Sequence, residues 1–185
     1  MAMTFSDSIE LDVKCLRKYF EQLFSMAEES RKNQPVMPVN DKDNEWFAGQ
    51  SVTNFIRPDM VGNVYSLIDF WLARLCSFHK QKANLSLNRN DIKGDSDLDA
   101  YHKYLTKVAL LDLQSVEPSF RHLDSLRKVR KIFVHVGGHV EEKKLQEISS
   151  IPDISVMGSL VLVSDDFIWN SLNHAQTYLV AVARA

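Results

Sequence analysis

The fold and the function of this chain both depend on one stretch, Leu126–Gly138, which reads LRKVRKIFVHVGG. Its apolar residues recur at helical spacing, with basic side chains between them. His135 stands near its end, and the pair Gly137-Gly138 follows, where a helix readily stops. Arginine offers a permanent forked charge for phosphate oxygens, and histidine exchanges a proton near neutral pH. We therefore interpret this stretch as a helix that carries candidate phosphate chemistry.

The pattern outside this stretch predicts a mainly α fold, an antiparallel bundle of four to five main helices with a small C-terminal β-hairpin. Apolar residues spaced three and four apart indicate each helix, and Ser, Asp, Gly and Pro indicate their ends. The predicted helices cover about 9–32, 64–80, a third from Asp95 or Ser96 to about Leu113, a fourth that follows a break at Pro118 and ends at Gly137, and a last one that begins at Ser164-Asp165-Asp166. The residues predicted to face inward on the last helix are Phe167, Ile168, Leu172, Ala175, Leu179 and Val182.

Residues 154–163 predict the hairpin, because two short apolar runs flank Gly158-Ser159. Residues 33–63 carry several prolines and glycines and predict a long irregular loop or insertion within a single domain, 1–185. Trp46 and Phe47 in that segment either fix the loop to the core or stack on bases.

Composition excludes several classes of protein. A net charge of −2 gives no global basic field, so a nucleic acid has to be bound by a local patch. The first twelve residues contain acids and no basic residue, unlike a secretory signal, and no apolar run is long enough to span a bilayer. Cys15 and Cys76 have no metal-like spacing and are expected to be reduced and packed. We therefore expect a cytoplasmic protein without a membrane partner.

Arg130 and His135 are separated by four residues, late in the fourth predicted helix, with Gly137-Gly138 soon after. This arrangement resembles the signature of the HEPN superfamily (higher eukaryotes and prokaryotes nucleotide-binding domains), an arginine and a histidine with four to six residues between them. The hairpin and the final helix that follow are similar to that architecture as well, from about residue 64 to the C-terminus.

The resemblance implies a metal-independent endoribonuclease of the toxin or phage-defence type, without a cofactor. Members of the superfamily form homodimers in which two motifs face one cleft, and the 2′-hydroxyl attacks the adjacent phosphate to leave a cyclic 2′,3′-phosphate. By position, Arg130 and His135 are the catalytic residues, and Lys131 and Arg127 assist phosphate binding. A toxin of this kind also implies an antitoxin or regulatory protein as partner.

Lys131 departs from the superfamily pattern, which usually has a small polar residue after the arginine, most often asparagine. Lysine binds phosphate as a point charge but cannot accept a hydrogen bond as an amide does. An alternative is therefore a non-catalytic HEPN module that binds nucleotide, RNA or a partner protein. A third reading is a helical interaction protein whose basic cluster is incidental.

Other polar residues are interpreted more simply. His135 and His139 have a metal-ligand spacing, but Gly137-Gly138 interrupts the helix between them, so no metal site is predicted. His79 and His102 are expected on the surface or on helix flanks. Asp69, within the apolar second helix, needs a partner, and the arginines of the fourth helix are candidates. The apolar stripe of the first helix predicts packing inside the bundle, with a dimer seam as the alternative.

Overall fold

The computed structural model describes residues 3–33 and 51–185. Within these residues the protein is mainly α-helical with one two-stranded antiparallel sheet, which confirms the predicted fold class. No helix in this part of the chain has the length and apolarity needed to cross a bilayer. The helices are α1 (Phe5–Asn33), α2 (Arg57–Lys82), α3 (Asp97–Lys103), α4 (Glu117–Val136), α5 (Leu145–Ser149) and α6 (Asp165–Arg184), and the strands are β1 (Ile154–Met157) and β2 (Leu160–Val163).

Helix α6 lies at the centre of the bundle and packs against α1, α2 and α4. Its start is fixed by Ser164, whose Oγ accepts a hydrogen bond from the Phe167 amide at 3.1 Å. All residues predicted to face inward on α6 are buried, and burying one Phe, Ile or Leu side chain typically contributes about 1.5–3 kcal/mol. These residues are Phe167, Ile168, Leu172, Ala175, Leu179 and Val182.

Helix α1 packs along α6 through its apolar stripe. Ile9, Val13 and Phe20 are buried in the core, and Leu16 and Leu23 are partly buried against it. The stripe is therefore used inside the bundle, as predicted, and does not form a free dimer seam.

Two prolines begin helices, although the sequence suggested that they break them. Pro58 lies in the first turn of α2 and Pro118 in the first turn of α4. Proline is tolerated there because the first amides of a helix have no partner within the helix. Helix α2 consequently begins at Arg57, whereas we predicted a start near residue 64.

The prediction of an irregular segment over 33–63 is wrong at its C-terminal end. A π-helical turn, Val52–Ile56, leads directly into α2, so residues 51–63 are helical. Residues 34–50, which include Trp46 and Phe47, lie outside the described residues.

Helix α3 starts where the sequence predicted and ends earlier. Ser96 caps it, with its Oγ accepting from the Asp99 amide at 3.1 Å. After Lys103 the chain continues as a wider π-helical turn and then reaches Leu110 at φ +56°. A left-handed leucine cannot continue a right-handed helix, which is why the predicted end near Leu113 is too late.

The predicted hairpin is present and turns at Gly158-Ser159. Met157 pairs with Leu160 across Gly158-Ser159, and Gly158 has φ +63°, the sign that favours glycine at the first turn position. The segment after α4 joins the edge of this sheet. The Val140 amide donates to the Ser159 carbonyl at 2.8 Å, and the Val161 amide donates to the Gly138 carbonyl at 2.9 Å.

The two cysteines are free, and they differ in environment. Cys76 is buried on α2, and burial raises its pKa to about 12. Cys15 is exposed on α1, so the prediction that both thiols are packed is correct only for Cys76.

Candidate functional site

Helix α4 has one buried face and one open face at the motif segment. The buried face is formed by Leu126, Val129 and Ile132. Arg127, Lys131 and His135 follow one another at steps of four residues, which places them in one row along the helix. Arg127 is half-buried, and Lys131 and His135 are exposed.

Helix α4 ends in a left-handed turn just after His135. Gly137 has φ +61° and Gly138 has φ +88°, and the Gly138 amide donates to the Ile132 carbonyl at 3.2 Å. A Cβ on Gly138 would lie 3.2 Å from the ring of Phe133. Both the backbone conformation and this close approach therefore favour glycine, and the chain turns back toward α4.

A groove with a volume of about 270 Å³ lies between α4 and the segment 139–148; we call it the α4 groove. Its first wall consists of Arg127, Lys128, Lys131, Ile132, His135 and Val136. Its second wall consists of His139, Val140, Glu141, Lys144, Glu147 and Ile148.

Ion pairs engage some of the cations in this groove and leave others available. A guanidinium nitrogen of Arg127 lies 2.8 Å from Asp124, and Lys128 Nζ lies 2.8 Å from Glu147. The Glu147 hydrogen bond raises the pKa of Lys128. Lys131 and Lys144 have no carboxylate within ion-pair distance in the described part of the chain. Lys144 still acts on Glu141, whose pKa is lowered by Lys143 and to a smaller extent by Lys144. Lys131 therefore has no carboxylate partner among the described residues, and Lys144 is only weakly engaged.

Arg130 lies outside the α4 groove. Its guanidinium carbon is 5.2 Å from the centroid of the Tyr65 ring on α2, a cation–π contact. Arg130 is one position round the helix from the row of Arg127, Lys131 and His135. The structure therefore brings three of the four predicted site residues into one groove and places Arg130 beside it.

Comparison of the chain with protein-family models, with curated proteins and with solved structures gives no match. The functional interpretation therefore depends on the residues and the geometry of this chain.

His139 also lines the α4 groove, from the wall opposite α4. In the sequence, His139 stood out only as a possible metal ligand. No three His, Cys, Asp or Glu side chains are grouped to hold a metal ion anywhere in residues 3–33 and 51–185. The spacing of four from His135 was the available signal, but its meaning depends on the turn at Gly137-Gly138, which places His139 across the groove.

Four further histidines hold α6 in the bundle, and the prediction that His79 and His102 lie on the surface or on helix flanks is wrong for His79. His79 is buried, and its Nε2–H donates to the Val182 carbonyl at 2.8 Å. His102 is half-buried, stacks on Phe120 and hydrogen-bonds the Tyr178 hydroxyl through Nδ1 at 2.8 Å. Burial lowers the pKa of both imidazoles.

His122 of α4 and His174 of α6 form a stacked pair, with ring centroids 4.4 Å apart. His122 Nε2 lies 2.9 Å from Ser171 Oγ, and His174 Nδ1 lies 3.0 Å from Ser119 Oγ. Burial, with His174 next to it, lowers the pKa of His122 to about 4. Both serines are buried, so this cluster is an internal contact between the two helices.

Asp69 is exposed, and no ion pair among the described residues joins it to the arginines of α4, which were its predicted partners. Its carboxylate lies near the Tyr101 hydroxyl instead. Burial and the nearby Asp69 carboxylate raise the pKa of Tyr101 to about 12.

A larger cavity, of about 340 Å³, lies between α2 and the segment 88–104. Its two cationic side chains are both engaged: Lys80 hydrogen-bonds Asn88, and Arg89 pairs with Asp97 at 2.8 Å. The α4 groove is smaller, but it combines exposed imidazoles with unpaired lysines. We therefore treat the α4 groove as the functional site.

Proposed function

We propose that this protein is a HEPN-like, metal-independent endoribonuclease of the toxin or phage-defence type. One observation carries the proposal. His135 is exposed at the end of α4, in a groove where Lys131 and Lys144 have no ion-pair partner within the described residues. A proton-transfer group beside positive charge is the combination that cleavage of a phosphodiester requires.

The proposed roles follow from position. His135 takes the proton from the ribose 2′-hydroxyl, whose oxygen then attacks the adjacent phosphorus. Lys131, which lies one turn before His135 on α4, binds the phosphate. Arg127 extends the positive row and is held in place by Asp124 at 2.8 Å. A positioned histidine typically contributes roughly a hundred- to ten-thousand-fold in rate.

In this proposal Arg130 acts in a cleft that two copies of the chain form together. Its guanidinium faces Tyr65 and lies beside the groove of its own protomer. In a homodimer whose motifs face one another, this face of α4 contributes to the shared cleft. Val134 and Val136 support such a contact, because both are apolar and more than half exposed next to the motif.

A non-catalytic HEPN module that binds RNA is the second candidate, and the position of Arg130 favours it. A guanidinium that rests on Tyr65 does not reach a phosphate in the groove of its own protomer, while Lys131 and Lys144 still bind one. In that case the groove holds an RNA strand and does not cut it.

The deciding experiment is cleavage of mixed cellular RNA in EDTA by the natural protein, Arg130→Ala and His135→Ala. Arg121→Ala is the matched control, since Arg121 is an exposed arginine on the same helix and lies outside the groove. We expect cyclic phosphate ends from the natural protein and from Arg121→Ala, and a loss of at least about a hundred-fold in the two motif variants.

A folded, dimeric natural protein that leaves RNA intact would exclude the nuclease. Retention of labelled RNA by that protein, weakened in Lys131→Ala, would then support the binding module. Activity that disappears in EDTA would contradict a metal-independent reaction.

A further inference from the structure

We infer that His139 is a second catalytic residue of the α4 groove: the general acid that protonates the departing 5′ oxygen, while His135 acts as the base. This inference rests on the proposed ribonuclease function and deepens it. It follows from the placement of two imidazoles on the two walls of one groove.

The turn after α4 creates this placement. His135 stands on the last turn of the helix, and the left-handed glycines Gly137 and Gly138 reverse the chain. The backbone of His139 then forms an antiparallel bridge with Leu160 at the edge of the hairpin, and its amide donates to the Val136 carbonyl at 3.1 Å. These contacts hold the His139 backbone between the hairpin and the end of α4. Both imidazoles line the same volume of about 270 Å³.

Ser159 orients the His139 ring. Its Oγ lies 2.9 Å from His139 Nδ1, which leaves Nε2 without a partner among the described residues. When the imidazole is protonated, Nδ1–H donates to Ser159 Oγ and Nε2–H is free to donate to a substrate oxygen. We interpret Ser159 as a positioning residue, since it lies outside the groove and acts through His139.

The chemistry requires groups on both sides of the phosphorus. The 2′ oxygen and the 5′ oxygen lie roughly in line in this displacement, so the base and the acid approach from opposite sides. His135 accepts the 2′-hydroxyl proton as the new O2′–P bond forms. His139 gives its Nε2 proton to O5′ as the P–O5′ bond breaks. The products are a cyclic 2′,3′-phosphate and a 5′-hydroxyl, and exchange with water restores both imidazoles.

The charged groups of both walls favour an anion between the two histidines. Lys131 and Lys144 have no ion-pair partner in the described ranges, whereas Lys128 is paired with Glu147 at 2.8 Å. The remaining carboxylate, Glu141, is paired with Lys143 at 2.8 Å and is attracted more weakly by Lys144. The remaining cation, Arg127, is paired with Asp124. A phosphate between His135 and His139 is thus met by positive charge from α4 and from the opposite wall.

The test compares two leaving groups at one linkage that the natural protein cleaves in mixed RNA. One oligoribonucleotide keeps the natural 5′ oxygen, and the other has sulfur in its place. A thiolate departs without a proton, so it does not need a general acid. We expect His139→Ala to lose about a hundred-fold or more on the oxygen substrate and to recover most of that rate on the sulfur substrate. His135→Ala is expected to stay slow on both.

The pH profile gives a second readout. The cleavage rate of the natural protein is expected to depend on pH as a bell-shaped curve. Its decrease at low pH (the acid limb) reports the general base, and its decrease at high pH (the alkaline limb) reports the general acid. On the sulfur substrate the natural protein itself should lose the alkaline limb, because the acid is no longer needed, and His139→Ala should lose that limb on both substrates. Ser159→Ala should lose rate on the oxygen substrate and keep its rate on the sulfur substrate, because Oγ no longer orients the His139 ring toward the departing oxygen. Ser155→Ala, on the neighbouring strand and also exposed, is the matched control.

Each outcome separates this inference from the proposed function. Full activity of His139→Ala on the oxygen substrate, with His135→Ala inactive, would overturn the inference and leave the nuclease in place. An equal loss on both substrates would assign His139 a structural role. A natural protein that cleaves no linkage in mixed RNA overturns both proposals.

Discussion

The six histidines of this chain fall into two sets with opposite surroundings. His79, His102, His122 and His174 touch or belong to α6, and burial lowers the pKa of each. We call these four, which are buried or half-buried, the buried set. His135 and His139 are exposed and line the α4 groove, and we call them the groove set. The same side chain therefore serves as an internal hydrogen-bonding group in one region and as a candidate proton carrier in the other.

The difference shows that the environment of a histidine decides its role more than its neighbours in sequence do. The buried set has partners that use one ring nitrogen and fix the ring, such as Val182 and Tyr178. A low pKa keeps these imidazoles neutral, which avoids charge in a poorly solvated place. The groove set has room for a ligand and lysines beside it.

The largest effect we predict is acid destabilisation through the buried set. The pKa of His122 is about 4 in the folded protein and near 6.5 in an unfolded chain. Above pH 6.5 both states are neutral and the stability is complete. As the pH falls toward 4, the unfolded chain binds a proton that the folded protein does not, so the free energy of unfolding decreases. The decrease from His122 is at most about 3 kcal/mol, because solvent reaches part of the ring and screens its charge.

Urea unfolding at intervals between pH 7 and 4 measures this decrease. His122→Gln should reduce the pH dependence, because glutamine can still hydrogen-bond Ser171 but does not titrate. His139→Gln is the control in the groove, and the decrease should remain. Asp153 and His174 also act electrostatically on His122, so Asp153→Asn should make the decrease steeper. A stability that is flat from pH 7 to 4 would contradict the division into two sets.

The next effect is the loss of a single buried histidine. His79→Ala leaves the Val182 carbonyl without its donor and opens a cavity between α2 and α6. We expect the free energy of unfolding to fall by about 2–3 kcal/mol. His135→Ala, the exposed counterpart, should change it by less than about 0.5 kcal/mol. Equal losses in chemical denaturation would mean that the two sets are not structurally different.

A smaller effect is predicted at the turn that joins the two groove histidines. Gly138→Ala puts a Cβ 3.2 Å from Phe133 at φ +88°, whereas a Cβ at Gly137 has nothing within 4 Å and meets only the cost of φ +61°. We expect about 1–2 kcal/mol of lost stability at Gly138 and less at Gly137. Thermal unfolding of both variants checks the order. The reverse order would show that the turn does not pack as described.

The sequence predicted the elements whose signals are local. The hairpin around Gly158-Ser159, the Ser164 cap and the inward face of α6 each depend on residues within a few positions of one another, and each is confirmed. The starts of α2 and α4 were missed because a proline is compatible with both a loop and a first helical turn. Only the surrounding packing decides between them.

The candidate site was predictable only as a row on one helix. The spacing of Arg127, Lys131 and His135 shows that they share a face, and the structure places them in one groove. The contact of Arg130 with Tyr65 and the position of His139 on the opposite wall involve long-range packing. Residue spacing indicates which side chains share a face of one helix. It does not indicate which other segment packs against that face.

The smallest stability effect, and the one most specific to the groove, is expected at Asp124. Its carboxylate lies 2.8 Å from Arg127 and 3.6 Å from Lys128. Asp124→Asn keeps the shape and removes the charge that engages both cations. Because such partly exposed ion pairs contribute about 0–1 kcal/mol, the free energy of unfolding should change by less than about 1 kcal/mol.

The effect of Asp124→Asn on RNA should be clearer than its effect on stability. One or two released cations bind phosphate more tightly, so the affinity for single-stranded RNA should be higher than that of the natural protein. The affinity should also decrease more steeply as salt is added: the slope of log affinity against log salt concentration steepens by about 0.7 for each added contact. Fluorescence anisotropy of labelled RNA at several salt concentrations measures this slope. Glu10→Gln, which removes an ion pair with Arg184 outside the groove, is the control. If both variants keep the natural slope, Arg127 and Lys128 do not face the RNA, and the strand would have to bind to a surface other than the α4 groove.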